Sequence, residues 1–120
     1  MAGAIETLGE LRVLVLDRDG PILATERDGT DLIGDAMGED ARWLAIPVER
    51  LSEDFLKLST GLAGTILQKA VNYRINVAIV GDVSAKTAAS KPLNDFVGES
   101  NRGRHVWFVR DLDELRARLD

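Results

Sequence analysis

The chain contains no cysteine and a single histidine, His105, among its 120 residues. Disulfides, thiolate metal sites and cysteine nucleophiles are therefore excluded, as is a multi-histidine metal centre within one chain. Aromatic residues make up only 5% of the sequence, and basic residues form only local groupings, at Arg102/Arg104 and Arg116/Arg118. A phosphate-binding face needs clustered Lys and Arg with aromatics to stack bases, so nucleic acid is not an expected partner. The net charge of −5, with acidic residues spread along the chain, points the same way. No apolar run approaches the length that crosses a bilayer, and residues 1–6 lack the basic and apolar regions of a secretory signal. No membrane association is expected, and a cytoplasmic address is the default.

What is present suits one soluble α/β domain. Apolar residues are 45% of the chain and charged residues 29%, with no repeat, low-complexity tract or long linker. A chain of this length buries roughly two thirds of its unfolded-state surface, enough for a core without staples. Residues 11–17 form a valine- and leucine-rich run, Arg18-Asp19-Gly20 is turn chemistry, and residues 21–25 read as a second strand, together a hairpin. Thr30 then reads as the cap of a short helix carrying Leu32, Ile33 and Ala36 on one face, with Gly38 at its end. Residues 42–46 form the third strand, stopped by Pro47.

After a loop at 48–58, the main helix spans 60–73, with Leu62, Ile66, Leu67, Ala70 and Val71 on one buried stripe about 20 Å long. Gly61, Ala63 and Gly64 suggest close backbone approach at its start. Residues 75–80 read as a central strand covered on both faces. Ser90 with Pro92 opens a helix whose Leu93, Phe96 and Val97 face inward. Residues 106–109 are the last strand. Asp111 and Glu114 then start a C-terminal helix with Leu112, Leu115 and Leu119 inside, and with Arg116 and Arg118 near its negative end.

The order β-β-α-β-α-β-α-β-α implies a mostly parallel five-stranded sheet with an antiparallel N-terminal hairpin strand at or near an edge. Two poles follow. The strands end at a carboxyl pole that receives residues 53–61 and 81–90. Lys69, Asn72 and Tyr73, with Glu99, Asn101 and Arg102, fall at the other.

Several strings carry a family resemblance: Asp54-Phe55, residues 60–64 (Thr-Gly-Leu-Ala-Gly), Gln68-Lys69, Asn72-Tyr73-Arg74, Val80-Gly81-Asp82, Asp95-Phe96-Val97 and residues 99–103. Together they resemble an uncharacterised bacterial family, domain of unknown function forty-one eighty, over nearly the whole chain. More loosely, Ser59-Thr60-Gly61-Leu62 at a helix start, followed by the strand ending Ile79-Val80-Gly81, is similar to the anti-sigma-factor antagonist, or STAS, architecture. That resemblance implies an α/β layer fold and a regulatory interaction, with Ser59 or Thr60 as phosphoacceptor. The residues themselves also allow a capping role there, since a Ser or Thr oxygen accepts a free backbone N–H at a helix start. A phosphate at that position would sit on the helix's positive end.

Residues 13–20, ending Asp17-Arg18-Asp19-Gly20, are similar to the first motif of haloacid-dehalogenase-like phosphatases. That chemistry would use Asp17 as nucleophile, Asp19 as general acid and a carboxylate-bound Mg²⁺, with Asp82 as a later metal ligand. The resumption of a strand at Pro21 favours a hairpin turn instead. The tentative ligand or partner-binding set is Lys69, Asn72, Tyr73, Glu99, Asn101 and Arg102, with Asp82 at the other pole. A network joining two helix ends, in which Glu99 pairs with Lys69 or Arg102, is the competing account. His105 reads as a strand-end surface residue, and Trp43 and Trp107 as packing residues or interface markers. No catalytic residue, metal or cofactor is assigned. The expectation is a regulatory or adaptor domain that binds a protein partner, a second copy or a small ligand, with the metal-dependent phosphatase as the alternative.

Overall fold

The computed structural model describes residues 3–119, so the part of the N-terminal reading that concerns Met1 and Ala2 lies outside it. Five strands, β1 (Gly3–Leu8), β2 (Leu11–Leu16), β3 (Trp43–Pro47), β4 (Asn76–Val80) and β5 (Val106–Val109), stand in sequential order in one sheet. β1 pairs antiparallel with β2, and all other pairs are parallel. Six α-helices accompany them: α1 (Glu26–Gly38), α2 (Glu53–Leu56), α3 (Leu62–Asn72), α4 (Ser84–Ala89), α5 (Lys91–Arg102) and α6 (Leu112–Leu119). No helix among the described residues is long and apolar enough to cross a membrane.

Stepping from β2 to β5 in one direction by right-handed crossovers places every crossover helix on the same face. The apolar clusters agree. Ile33, Ala36, Phe55, Ile66, Leu67 and Ala70 pack on one face, against the strand residues Leu14, Leu44, Ile46, Val77 and Ile79. The opposite face carries Val13, Trp43, Ala45, Ala78 and Val109, covered by α6 through Leu112, Leu115 and Leu119. β4 is an interior strand, between β3 and β5, and is nearly free of polar side chains because both of its faces are covered.

The hairpin lies one strand earlier than the sequence suggests. Its turn is Gly9-Glu10, both at positive φ (60° and 87°), which matches the twist of the flanking strands. Residues 21–25 are not a strand: they make one isolated bridge, Leu23 to Leu51. Pro21 has no N–H to donate, and the N–H groups of Ala24 and Thr25 are taken by the Asp28 carboxylate. Asp17-Arg18-Asp19-Gly20 therefore follows a parallel strand and leads to a helix, rather than turning a hairpin.

The cap of α1 is Thr25, not Thr30. Thr25 Oγ1 accepts from Asp28 N at 3.2 Å while the Asp28 carboxylate accepts from Thr25 N at 3.0 Å, a complete capping box. Thr30 is one turn inside, with its hydroxyl on the Glu26 carbonyl. Backbone N–H bonds from Ala24 and then Thr25 hold the Asp28 carboxyl below its ordinary range. A carboxyl depressed on folding adds stability that is present above its unfolded pKa and is lost as pH falls through the folded value. Thr25→Ala should cost about 1 kcal/mol in urea unfolding at neutral pH. The gap between wild type and Asp28→Asn should close as the solution is acidified below the ordinary carboxylate range. A gap constant with pH would separate the carboxylate from the cap.

α3 is shorter than the expected span 60–73, though it holds the whole apolar stripe, and it begins after Gly61, whose φ of +79° few other residues tolerate. Close approach is found elsewhere than expected. A Cβ on Gly64 would meet open space, whereas one on Gly29 of α1 would lie 2.6 Å from Ile66 Cγ1, so the α1–α3 contact requires glycine at 29. Ser90 and Asp111 cap as expected, accepting from Leu93 N and Glu114 N. The Glu114 carboxylate turns to Arg110 instead of closing a capping box.

Candidate functional site

A hollow of about 280 Å³ opens at the carboxyl pole, where α6 begins over the ends of β2, β3 and β4. Its origin lies in side-chain size along one sheet face. At the amino end, Trp43 and Trp107 fill the gap beneath α6, with ring centroids 4.6 Å apart. Arg118 closes over Trp107 at 4.0 Å, and the indole donates to the Gly103 carbonyl. Toward the carboxyl end the same rows continue as Val15, Ala45 and Val80, which are too short to reach α6, with Pro47 beside them. Leu112 closes one side. Charge is confined to the rim, where Arg18 lies 3.7 Å from Glu49 and Arg110 lies 3.0 Å from Glu114. The first pair is solvent-exposed and the second joins an exposed Arg110 to a half-buried Glu114, and surface pairs of this kind are weak enough to exchange partners at little cost. An apolar floor with a few convergent charges outside the carboxyl ends of parallel strands is the usual form and place of a ligand crevice in such sheets.

The candidates from the sequence are dispersed around this frame. Asp82 is at the carboxyl pole but lines a neighbouring cleft, beside Ser84 and Thr87. Its carboxylate accepts from Ser84 N at 2.8 Å, and hydrogen bonds from the Ser84 side chain and backbone hold its pKa down. Lys69 reaches α1, with Nζ 3.0 Å from Thr30 Oγ1 and 3.6 Å from Glu26. Asn72 accepts from Gln68 one turn back, and Tyr73 is 53% exposed. Asn101 receives the Phe108 N–H on its side chain and Arg118 on its carbonyl, tying α5, β5 and α6 together. Glu99 and Arg102 are exposed, and Glu99 forms no ion pair among the described residues, with Lys69 or with Arg102; Lys69 lies instead beside Glu26. His105 is exposed beside Asn76, 3.2 Å from its side-chain oxygen.

Ser59 and Thr60 stand in a short 3-10 turn before α3 and are both exposed. The Thr60 hydroxyl lies 2.6 Å from the Asp54 carbonyl and 2.9 Å from that of Lys57, holding this loop, and accepts weakly from Leu62 N. The Ser59 hydroxyl makes no hydrogen bond among the described residues, so of the two exposed hydroxyls it is the unengaged one. Asp17 and Asp19 are exposed, and no three carboxylate or imidazole side chains among the described residues gather closely enough to hold a metal ion.

Sequence reading missed Arg50. Its side chain is 97% buried, being 3% exposed, and it donates from Nε to the Pro21 carbonyl at 2.6 Å and from Nη1 to the Asp17 carbonyl at 2.9 Å. These bonds hold the loop that follows β2. No local pattern marks it, because a guanidinium in an ordinary polar stretch reveals its burial only once β2 and β3 lie side by side.

No curated protein matches the chain. No solved structure matches it either. A family model described as a domain of unknown function, DUF4180, matches residues 8–119, and on that match, which spans β2 to β5, all six helices and the crevice, the chain belongs to this family.

Proposed function

We propose that this protein is a cytoplasmic regulatory or adaptor domain that acts by binding rather than by catalysis. Its site is the crevice at the carboxyl pole, and its ligand is a small molecule, or a side chain of a partner, with an apolar body and a charged end. The observation that carries this reading is the crevice itself: an apolar floor of Val15, Ala45 and Val80, enclosed by α6 and rimmed by the exchangeable Arg18 and Arg110 pairs. A volume of about 280 Å³ suits a ligand at the small end of the usual range.

Fragment screening by amide chemical shifts tests it. Small amphipathic acids and amines should move the amides of residues 15–18, 45–49, 80–81 and 110–113, and Val80→Phe, which places a ring in the hollow, should abolish those shifts. Absence of any response at millimolar fragment would sink the reading. One observation favours the phosphatase alternative: Asp17 follows a parallel strand, as the nucleophile of such enzymes does. The same protein should therefore be assayed with Mg²⁺ and a phosphate monoester. Turnover that disappears in Asp17→Asn would replace binding by catalysis.

A further inference from the structure

A second groove, of about 200 Å³, runs between α1 and the chain segment 21–23. Its floor and one wall are apolar, formed by Leu23, Leu32 and Ile22, and Ile22 is 48% exposed, one of three large apolar residues so exposed among those described. The facing wall carries Asp28, Asp31 and Asp35 at helical spacing on α1. This charge is not a local detail. Residues 26–40 hold six acidic residues and one arginine, a net of −5, while the other 105 residues balance 14 acidic against 14 basic. The whole net charge of the protein therefore sits on and just after one helix, contrary to the even spread read from composition.

Arg50 is the opposing charge. It lines the groove from beneath, but two of its three nitrogens are engaged by the Pro21 and Asp17 carbonyls, and the lining keeps a net of −2. Its Nη2 makes no hydrogen bond within the described residues and is a donor for an acceptor on an occupant. The Ala24 and Thr25 N–H groups also hold the Asp28 carboxyl below its ordinary range.

We infer that this groove docks a basic amphipathic segment of a protein partner, with one large apolar side chain seated against Ile22, Leu23 and Leu32 and with Lys or Arg residues facing α1. Charge complementarity selects this occupant. Nucleic acid and an anionic lipid surface are repelled by the same carboxylates, and a second copy would bring its own acidic helix or a neutral face. A metal ion is disfavoured because these carboxylates do not converge. A helix laid in a groove by its apolar face, with charges on the flank, is a common mode of peptide recognition.

The test uses a synthetic helical peptide of leucine and lysine in amphipathic order, with two controls: lysines replaced by glutamate, and leucines replaced by serine. The leucine–lysine peptide should shift amides of residues 21–23 and 28–35, and should bind less tightly as salt rises. Affinity should fall about tenfold or more when Asp31→Lys and Asp35→Lys, both at exposed positions, are combined. The exposed change Ile22→Ser should weaken binding without altering its salt dependence, and the serine peptide should bind no better to wild type. Binding should survive Val80→Phe, which separates this groove from the crevice. Shifts scattered over the surface or confined to the crevice, equal binding of the glutamate peptide, or unchanged affinity of the double variant would overturn the inference.

Discussion

Leu115→Ala should lower the unfolding free energy by about 3 kcal/mol and release α6 from the sheet. Leu115 is fully buried, and among the described residues α6 is the sole helix on its face of the sheet, where its other apolar contacts, Leu112 and Leu119, are only half-buried. Truncating a buried leucine removes its transfer free energy and leaves a void, and an eight-residue helix has little stability of its own to absorb the loss. Urea denaturation gives the magnitude. Hydrogen exchange gives the location: α6 amides should lose protection in the variant while β4 and α3 keep theirs. The crevice would lose a wall at the same time, so fragment binding should fail in Leu115→Ala below its unfolding midpoint. A change under about 1 kcal/mol with α6 still protected would show that the helix is held by other contacts, among them Arg118 on Trp107.

Arg50→Ala should have a comparable effect, about 3 kcal/mol, for a different reason. The guanidinium supplies hydrogen bonds to two backbone carbonyls of one loop, and their loss leaves both carbonyls unpaired around the space it vacates. Arg50→Lys should recover only a minor part. An ammonium cannot span the Pro21 and Asp17 carbonyls with the fixed fork of a guanidinium, and the loop packs closely on that fork, since a Cβ on Gly20 would lie 2.7 Å from Arg50 Cζ. Equilibrium unfolding of the two variants side by side checks this. Full recovery by lysine would mean that charge alone, and not the paired geometry, holds the loop after β2.

Local signals made much of the fold readable. α5 and α6 were legible from their caps, Ser90 and Asp111, because a cap is chemistry between residues three apart. β4 was legible because a strand buried on both faces must be apolar throughout. The buried stripe of α3 was legible from its spacing, although the helix begins two residues later than that spacing suggests, where Gly61 breaks the backbone.

β1 was not legible. Gly3–Leu8 contains Ala4, Glu6 and Thr7, and only Ile5 and Leu8 are apolar and large, so its strand character comes from pairing with β2 rather than from its own pattern. The same cause displaced the hairpin. Asp and Gly suit a hairpin turn and a strand-to-helix loop equally, and which one residues 17–20 form depends on whether the next partner of β2 is residues 21–25 or β3.

The sequence by itself determined the order of most elements, the parallel sheet and the excess of negative charge, and the segregation of that charge into residues 26–40 was already written there. Tertiary structure alone decided the two sites. The crevice exists because Ala45 and Val80 lie in rows that β3 and β4 bring beside Val15, at the end where no tryptophan fills the space under α6. The groove exists because the loop held by Arg50 lays Ile22 opposite the acidic side of α1. Size and charge are properties of single residues, but a hollow is a relation between residues from several elements, and only packing creates it.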